Sequence, residues 1–84
     1  MPAARPHATL EVRVRWRDGQ VGAGLLVRVR GRKGVTDARG RAVFRDLRPD
    51  SYSVEVRDPD FVWSTVDVEL RPGEERTLAF VEPP

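Results

Sequence analysis

The sequence predicts an all-β fold, a seven-stranded antiparallel Greek-key β-sandwich. Three observations predict it. Apolar and polar residues alternate with a period of two in run after run, as in strands that bury one face. Gly, Pro and Asp turn signals recur about every 8 to 12 residues, the spacing of short sandwich strands. Helical spacing of apolar residues does not persist over any window long enough to make a helix.

The first run is TLEVRVRWR from Thr9, with Leu10, Val12, Val14 and Trp16 on one face and Glu11, Arg13, Arg15 and Arg17 on the other. Asp18-Gly19 closes it with a turn, because Gly accepts a positive φ without steric cost. After a flexible Gly22 to Gly24 segment comes LLVRVRG, with Leu25, Val27 and Val29 inward and Arg28 and Arg30 outward. The basic tip Gly31 to Gly34 is expected to turn, Val35 to Asp37 to form a short strand, and Ala38 to Gly40 to turn again. Ala42 and Phe44 are the inward pair of the next strand, and Leu47 plugs the corner before Arg48-Pro49-Asp50-Ser51. Tyr52, Val54 and Val56 alternate against Ser53, Glu55 and Arg57, and Asp58-Pro59-Asp60 ends that strand, since Pro cannot donate to a ladder. In VWSTVDVEL, strict alternation puts Val62, Val66, Val68 and Leu70 inward and Trp63, Thr65, Asp67 and Glu69 outward. Arg71 to Glu74 turns, and a last strand from Arg76 points Leu78 and Phe80 inward.

At 84 residues the chain is one domain, expected to span 9–81 between an N-terminal tail, 1–8, and a C-terminal tail, 82–84. So short a chain needs nearly all its apolar side chains for one core and has few to spare for a ligand pocket. There is no cysteine, which excludes disulfides and Cys zinc sites and fits a reducing compartment. No secretion signal or membrane-length apolar run is present, so membrane insertion is not expected and a cytoplasmic location is favoured unless the domain belongs to a secreted parent. The net charge of +2 hides an asymmetry: residues 1–48 carry twelve basic and four acidic side chains, net +8, and residues 49–84 three basic and nine acidic, net −6. A fold that segregates the halves has a basic and an acidic side.

The stretch TDARGRAVFRDLRPDSYSVEVRDPDF, Thr36 to Phe61, resembles the carboxypeptidase regulatory-like family. The family pattern is Thr-Asp, two residues, Gly, alternating apolar residues, Leu, Pro-Gly, Tyr and a Val-rich strand, then Pro-Gly-aromatic. Transthyretin-like and collagen-adhesin B-type modules look similar. The resemblance implies a transthyretin-like, Ig-like sandwich and leaves function open, because such modules are appended to many unrelated proteins. Asp50 and Asp60 stand where the pattern has Gly, which predicts a different backbone at those turns. The Lys-to-Asn cross-link of adhesin modules is excluded here, since Lys33 is the sole Lys and Asn is absent. The hydroxyisourate hydrolase chemistry of transthyretin relatives would need several His and a C-terminal Tyr-Arg-Gly-Ser, whereas this chain has His7 alone and ends Glu-Pro-Pro.

No nucleophile beside a base, acid–base pair or cofactor motif stands at recognisable spacing, so no catalytic residue, cofactor or metal site is nominated and an enzyme is not expected. Asp58, Asp60 and Asp67 are oxygen ligands suited to Ca²⁺, but acids around a Pro turn read first as solvated loop residues. The candidate interaction residues are Arg13, Arg15, Arg17, Arg28 and Arg30, with Phe61 and Trp63. If the first two strands pair, the five arginines share one face suited to a polyanion; the reading favoured over it is a solvated face whose arginines pair with acids across strands. Phe61 and Trp63, if exposed, would stack a sugar or anchor a partner; the favoured alternative has Phe61 capping the core and a bulge near Ser64 turning Trp63 inward. The function expected is a non-enzymatic structural or interaction module that binds a protein partner or itself, with carbohydrate binding and polyanion binding as the alternatives.

Overall fold

The computed structural model describes residues 7–60 and 62–83. Seven strands follow in order: β1 (Ala8–Arg15), β2 (Leu26–Val29), β3 (Arg32–Val35), β4 (Arg41–Leu47), β5 (Asp50–Arg57), β6 (Val62–Leu70) and β7 (Glu75–Val81). They form two sheets, β4-β1-β7 and β3-β2-β5-β6, with no helix among the described residues. Edge strands β3 and β4 meet on one side of the sandwich, which leaves β6 and β7 to close the other. The inward residues of β1, β2, β4 and β5 are those the alternation predicts. Leu10, Val12, Val14, Val27, Val29, Ala42, Phe44, Tyr52, Val54 and Val56 are all buried, and they make one core with Leu25, Leu47, Val68, Leu70 and Phe80.

One pair departs from an all-antiparallel arrangement: β7 lies beside β1 in parallel, Leu10 opposite Arg76 and Val14 opposite Phe80. The turn between β6 and β7 carries the chain from one sheet to the other, so β7 reaches β1 by a crossover and not by a hairpin. Pro72 and Gly73, at φ 73, shape that turn, and the Glu74 carboxylate accepts the Arg71 N–H at 2.9 Å. This bond first, and the Arg76 guanidinium second, hold Glu74 below its ordinary value.

The segment Gly31 to Gly34 is not the turn the sequence suggests. The β2–β3 hairpin turns on Arg30 and Gly31, Arg30 taking φ 50, and Arg32 to Val35 is strand in place of Val35 to Asp37. Val35 is 61% exposed, while Arg32 and Gly34 pair with Val29 and Val27 and so share the inner face. An edge strand tolerates this because Arg32 reaches across the open side to the carbonyls of Arg45 and Asp46, the latter at 2.9 Å, and ties the two sheets together. Gly22 to Gly24 is not free either. Gly22 N–H bonds the Val14 carbonyl at 2.8 Å, Gly24 N–H the Thr36 carbonyl at 2.9 Å, and the buried Thr36 hydroxyl donates to the Gly22 carbonyl at 2.5 Å while accepting the Leu25 N–H at 2.9 Å.

Strict alternation also fails in β6. Val56 pairs with Ser64 and Arg57 with Val62, so Trp63 is the extra residue of a bulge. The bulge turns Trp63 inward, 7% exposed, and Val62 outward, 44% exposed. Val66 keeps the inner face by pairing with Val54, yet is 36% exposed because β6 is an edge. A second bulge in β4, with Asp46 at φ 59, brings Leu47 down over the core. Neither Asp50 nor Asp60 takes a positive φ; among the described non-Gly residues Arg30 and Asp46 do. Ala8 is fully buried in β1, and Glu82 donates its N–H to the Arg15 carbonyl at 2.9 Å.

Candidate functional site

The single five-arginine face does not form, because β1 and β2 lie in different sheets. Arg13 and Arg15 project from the outer face of β4-β1-β7, whereas Arg28 projects from the opposite side of the molecule, the outer face of β3-β2-β5-β6. Arg17 lies past the end of β1, where its N–H bonds the Glu82 carboxylate at 3.0 Å and its Nε lies 3.9 Å from it. Arg30 folds back from the hairpin turn: its guanidinium bonds Asp50 at 3.0 Å and the Ser51 carbonyl, and lies 4.5 Å from the Tyr52 ring centre. The Ser51 N–H and then Arg30 hold Asp50 below its ordinary value.

A different set of arginines does converge. Arg13 of β1 pairs with Arg41 of β4, and Arg15 and the turn residue Arg39 complete the walls of a hollow of about 160 Å³, with Val14 and Val21 between them. Arg39 and Arg41 were absent from the sequence-based set, since only the β1–β4 register reveals that they stand beside Arg13. The frame is the Asp37–Gly40 turn. Asp37 Oδ1 accepts the N–H groups of Arg39 at 2.8 Å and Arg41 at 3.1 Å, and Gly40 N–H bonds the Asp37 carbonyl at 2.9 Å. The bonds from Arg41 and then Arg39 hold the Asp37 carboxyl below its usual range. Gly40, at φ 73, offers its carbonyl to the Val14 N–H at 2.8 Å and so clamps the turn to β1. Glu11 is bonded by Arg13 and lies 3.3 Å from Arg41. Its carboxyl is lowered by the Arg13 hydrogen bond first; desolvation opposes this, and the charges of Arg13 and then Arg41 lower it further.

Trp63 is not an exposed platform. Its ring meets Trp16 edge to face, centroids 5.0 Å apart, and its Nε1 donates to Asp58 Oδ2 at 2.8 Å. Phe61 lies outside the described residues. Asp58 Oδ1 accepts the Asp60 N–H at 2.7 Å, and Asp67 accepts the Ser53 hydroxyl at 2.6 Å on the outer face between β5 and β6. Among the described residues no three His, Asp or Glu side chains gather to hold a metal ion, so the calcium reading of Asp58, Asp60 and Asp67 has no geometry behind it. Also among them, no helix is long and apolar enough to cross a membrane.

The residues that carry the turn, corner and core fall inside one stretch, and residues 9–81 match the family model of the carboxypeptidase regulatory-like domain. The chain belongs to that family. No curated protein matches it. In this regulatory-like domain the Thr-Asp…Gly motif is structural: Thr36 satisfies two buried backbone groups, Asp37 caps the turn, and Gly40 sits where its backbone touches β1. The Tyr52 hydroxyl reaches back to the Arg48 carbonyl at 2.6 Å and fixes the corner into β5.

The regulatory-like domain also segregates its charge. Residues 28–48, which build β3, β4 and the end of β2, carry eight basic and two acidic side chains, net +6. Residues 58–82, with β6 and β7, carry two basic and seven acidic, net −5. The topology puts these segments on opposite open sides. On the basic side a groove of about 670 Å³ runs between β3 and β4, floored by Gly34 and Phe44 and flanked by Lys33, Arg45 and the exposed Val35 and Val43.

Proposed function

We propose that this regulatory-like domain is a non-catalytic interaction module that joins edge to edge, the basic β3/β4 side of one copy against the acidic β6/β7 side of the next. The observation that carries the reading is the segregation of charge onto two opposite sides, each closed by strands with an unpaired edge. An edge strand presents backbone N–H and C=O groups to any strand laid beside it. By the alternation of antiparallel ladders the outward groups of β3 belong to Lys33 and Val35, since Arg32 and Gly34 point theirs at β2. Opposite charge supplies register and steering, and the exposed Val35, Val43, Val62 and Val81 supply apolar contact at the edges.

Such contacts are heterologous, so copies add head to tail and the assembly size depends on concentration. Light scattering after size exclusion tests this at about 50 mM and about 500 mM salt, which bracket weak and strong screening of surface charge. The expected result is a concentration-dependent mass at low salt that falls to the monomer at high salt, and to the monomer at both salts in Lys33→Glu/Arg45→Glu. A monomer at low salt across the accessible concentrations refutes the reading. The carbohydrate alternative loses its main support with Trp63 in the core.

A further inference from the structure

We propose that the hollow walled by Arg13, Arg15, Arg39 and Arg41 is a binding site for one tetrahedral oxyanion, the phosphate or sulfate group of a partner molecule. The inference does not rest on edge-to-edge association: Arg41 lines both this hollow and the β3/β4 groove, but Arg13, Arg15 and Arg39 line the hollow alone.

Four guanidinium groups around one small hollow repel one another, and such a cluster persists only if anions balance it or the frame holds it together. Among the described residues the carboxylates bonded to these arginines are Glu11 and Asp37, and both are engaged. Glu11 serves Arg13 and Arg41, and Asp37 Oδ1 is turned to the backbone N–H groups of Arg39 and Arg41. Four positive charges against two negative leave a surplus of two, the charge of a fully ionised phosphate monoester or of the free sulfate ion.

Donors are in surplus as well. Among the described residues the Arg39 guanidinium makes no hydrogen bond or ion pair. Arg15 gives one N–H to the Gly19 carbonyl at 3.1 Å and has no carboxylate partner among the described residues. Arg41 Nε is buried and has no hydrogen-bond partner among the described residues. Guanidinium forks match the oxygens of phosphate and sulfate two at a time, which gives direction as well as charge.

The site is also pre-organised. Arg13 and Arg41 are locked opposite each other by the β1–β4 ladder, and Arg39 is carried by a turn of four residues with its carbonyls and amides tied to Asp37 and Val14. The backbone frame therefore needs no ordering on binding, and the ordering cost falls on the exposed Arg15 and Arg39 side chains. At about 160 Å³ the hollow has room for one such group.

The test is an amide NMR titration of the full chain with inorganic sulfate and, separately, inorganic phosphate, ionic strength being held constant with chloride and acetate run as the planar control. Saturable shifts of Val14, Arg39, Gly40 and Arg41 with sulfate or phosphate, and none of that pattern with chloride or acetate, are expected; the tighter anion names the ester. Arg39→Gln and Arg15→Gln, both at exposed side chains that no core residue depends on, should each weaken binding about tenfold or more with the folded spectrum unchanged. Unsaturating shifts scattered over all basic surface, equal binding of acetate, or unchanged affinity in Arg39→Gln would overturn the site. None of these outcomes alters the scattering result at low salt, so failure here and failure of edge association are read separately.

Discussion

Gly40→Ala is expected to destabilise the domain by about 4 kcal/mol and Gly19→Ala by about 1 kcal/mol, although the two glycines share a backbone conformation. Their φ angles are 73 and 91. An L side chain in that region costs roughly 1–2 kcal/mol, offset by about 0.4–1 kcal/mol because alanine narrows the unfolded ensemble. Around Gly19 a Cβ would meet nothing within 4 Å, so the small residue is the whole effect. At Gly40 it would stand 2.6 Å from the Val14 carbonyl oxygen and 3.1 Å from the Gly22 nitrogen. Backbone atoms cannot rotate away. The turn must lift off β1, and the bonds Val14 N–H to Gly40 and Gly22 N–H to Val14 go with it. Each contributes about 1 kcal/mol net, and more where a partner stays buried. Total stability for 84 residues is about 4–13 kcal/mol, so the Gly40 variant sits near unfolding. Urea titration followed by tryptophan fluorescence checks this, with Gly24→Ala as a second open-space control at φ 78. Equal midpoints for the Gly19 and Gly40 variants would refute the close-approach argument.

Three further outcomes follow from the same geometry. Thr36→Val keeps the shape but leaves the Leu25 N–H and Gly22 carbonyl without their partner, and should cost about 2–4 kcal/mol where Thr36→Ser costs under about 1, read as urea midpoints. Trp63→Ala should cost about 3–5 kcal/mol, and a loss below about 1 kcal/mol in thermal unfolding would mean the ring is not in the core. Glu11, Asp37, Asp50 and Glu74 all lie below their ordinary values of 4.5 for Glu and 3.8 for Asp. A depressed carboxyl gives stability that is complete above its unfolded value and is lost as pH falls through its folded one. These four therefore leave the melting temperature level down to about pH 5 and lower it progressively below about pH 4; a midpoint that rises on acidification contradicts the assignment.

The faces of β1, β2 and β5 were legible because each is an interior strand, so every inward position must be apolar and the period of two is unbroken. The edges broke the pattern. β3 has one neighbour and a short inner face, and Arg32 and Gly34 suffice there because a guanidinium bridges the gap that an apolar side chain would otherwise fill. In β6 one inserted residue exchanged the places of Val62 and Trp63, and no alternation count marks where a bulge falls. Two facts had no sequence signal. A strand's period says which face it buries but not which sheet it joins, so Arg28 separated from Arg13 and Arg15; and it says nothing of direction, so the parallel β1–β7 pair was unforeseen.

The arginine hollow depends on the same point. The Asp37–Gly40 motif was legible as a turn, and a turn of that length sets Arg39 and Arg41 close together. Their partners on β1 follow only from the register that places Arg41 opposite Arg13. Gly40 therefore links fold and site, for its close approach to Val14 is what brings the turn's arginines against those of the strand. If that link is physical, two perturbations part company. Arg39→Gln removes a donor and leaves the frame, so sulfate or phosphate affinity falls while the urea midpoint holds. Gly40→Ala moves the frame and leaves every donor, so affinity and midpoint fall together. A Gly40 variant that is destabilised yet, at a urea-free temperature where it is folded, binds the anion as the native chain does would show that the hollow does not need the clamp.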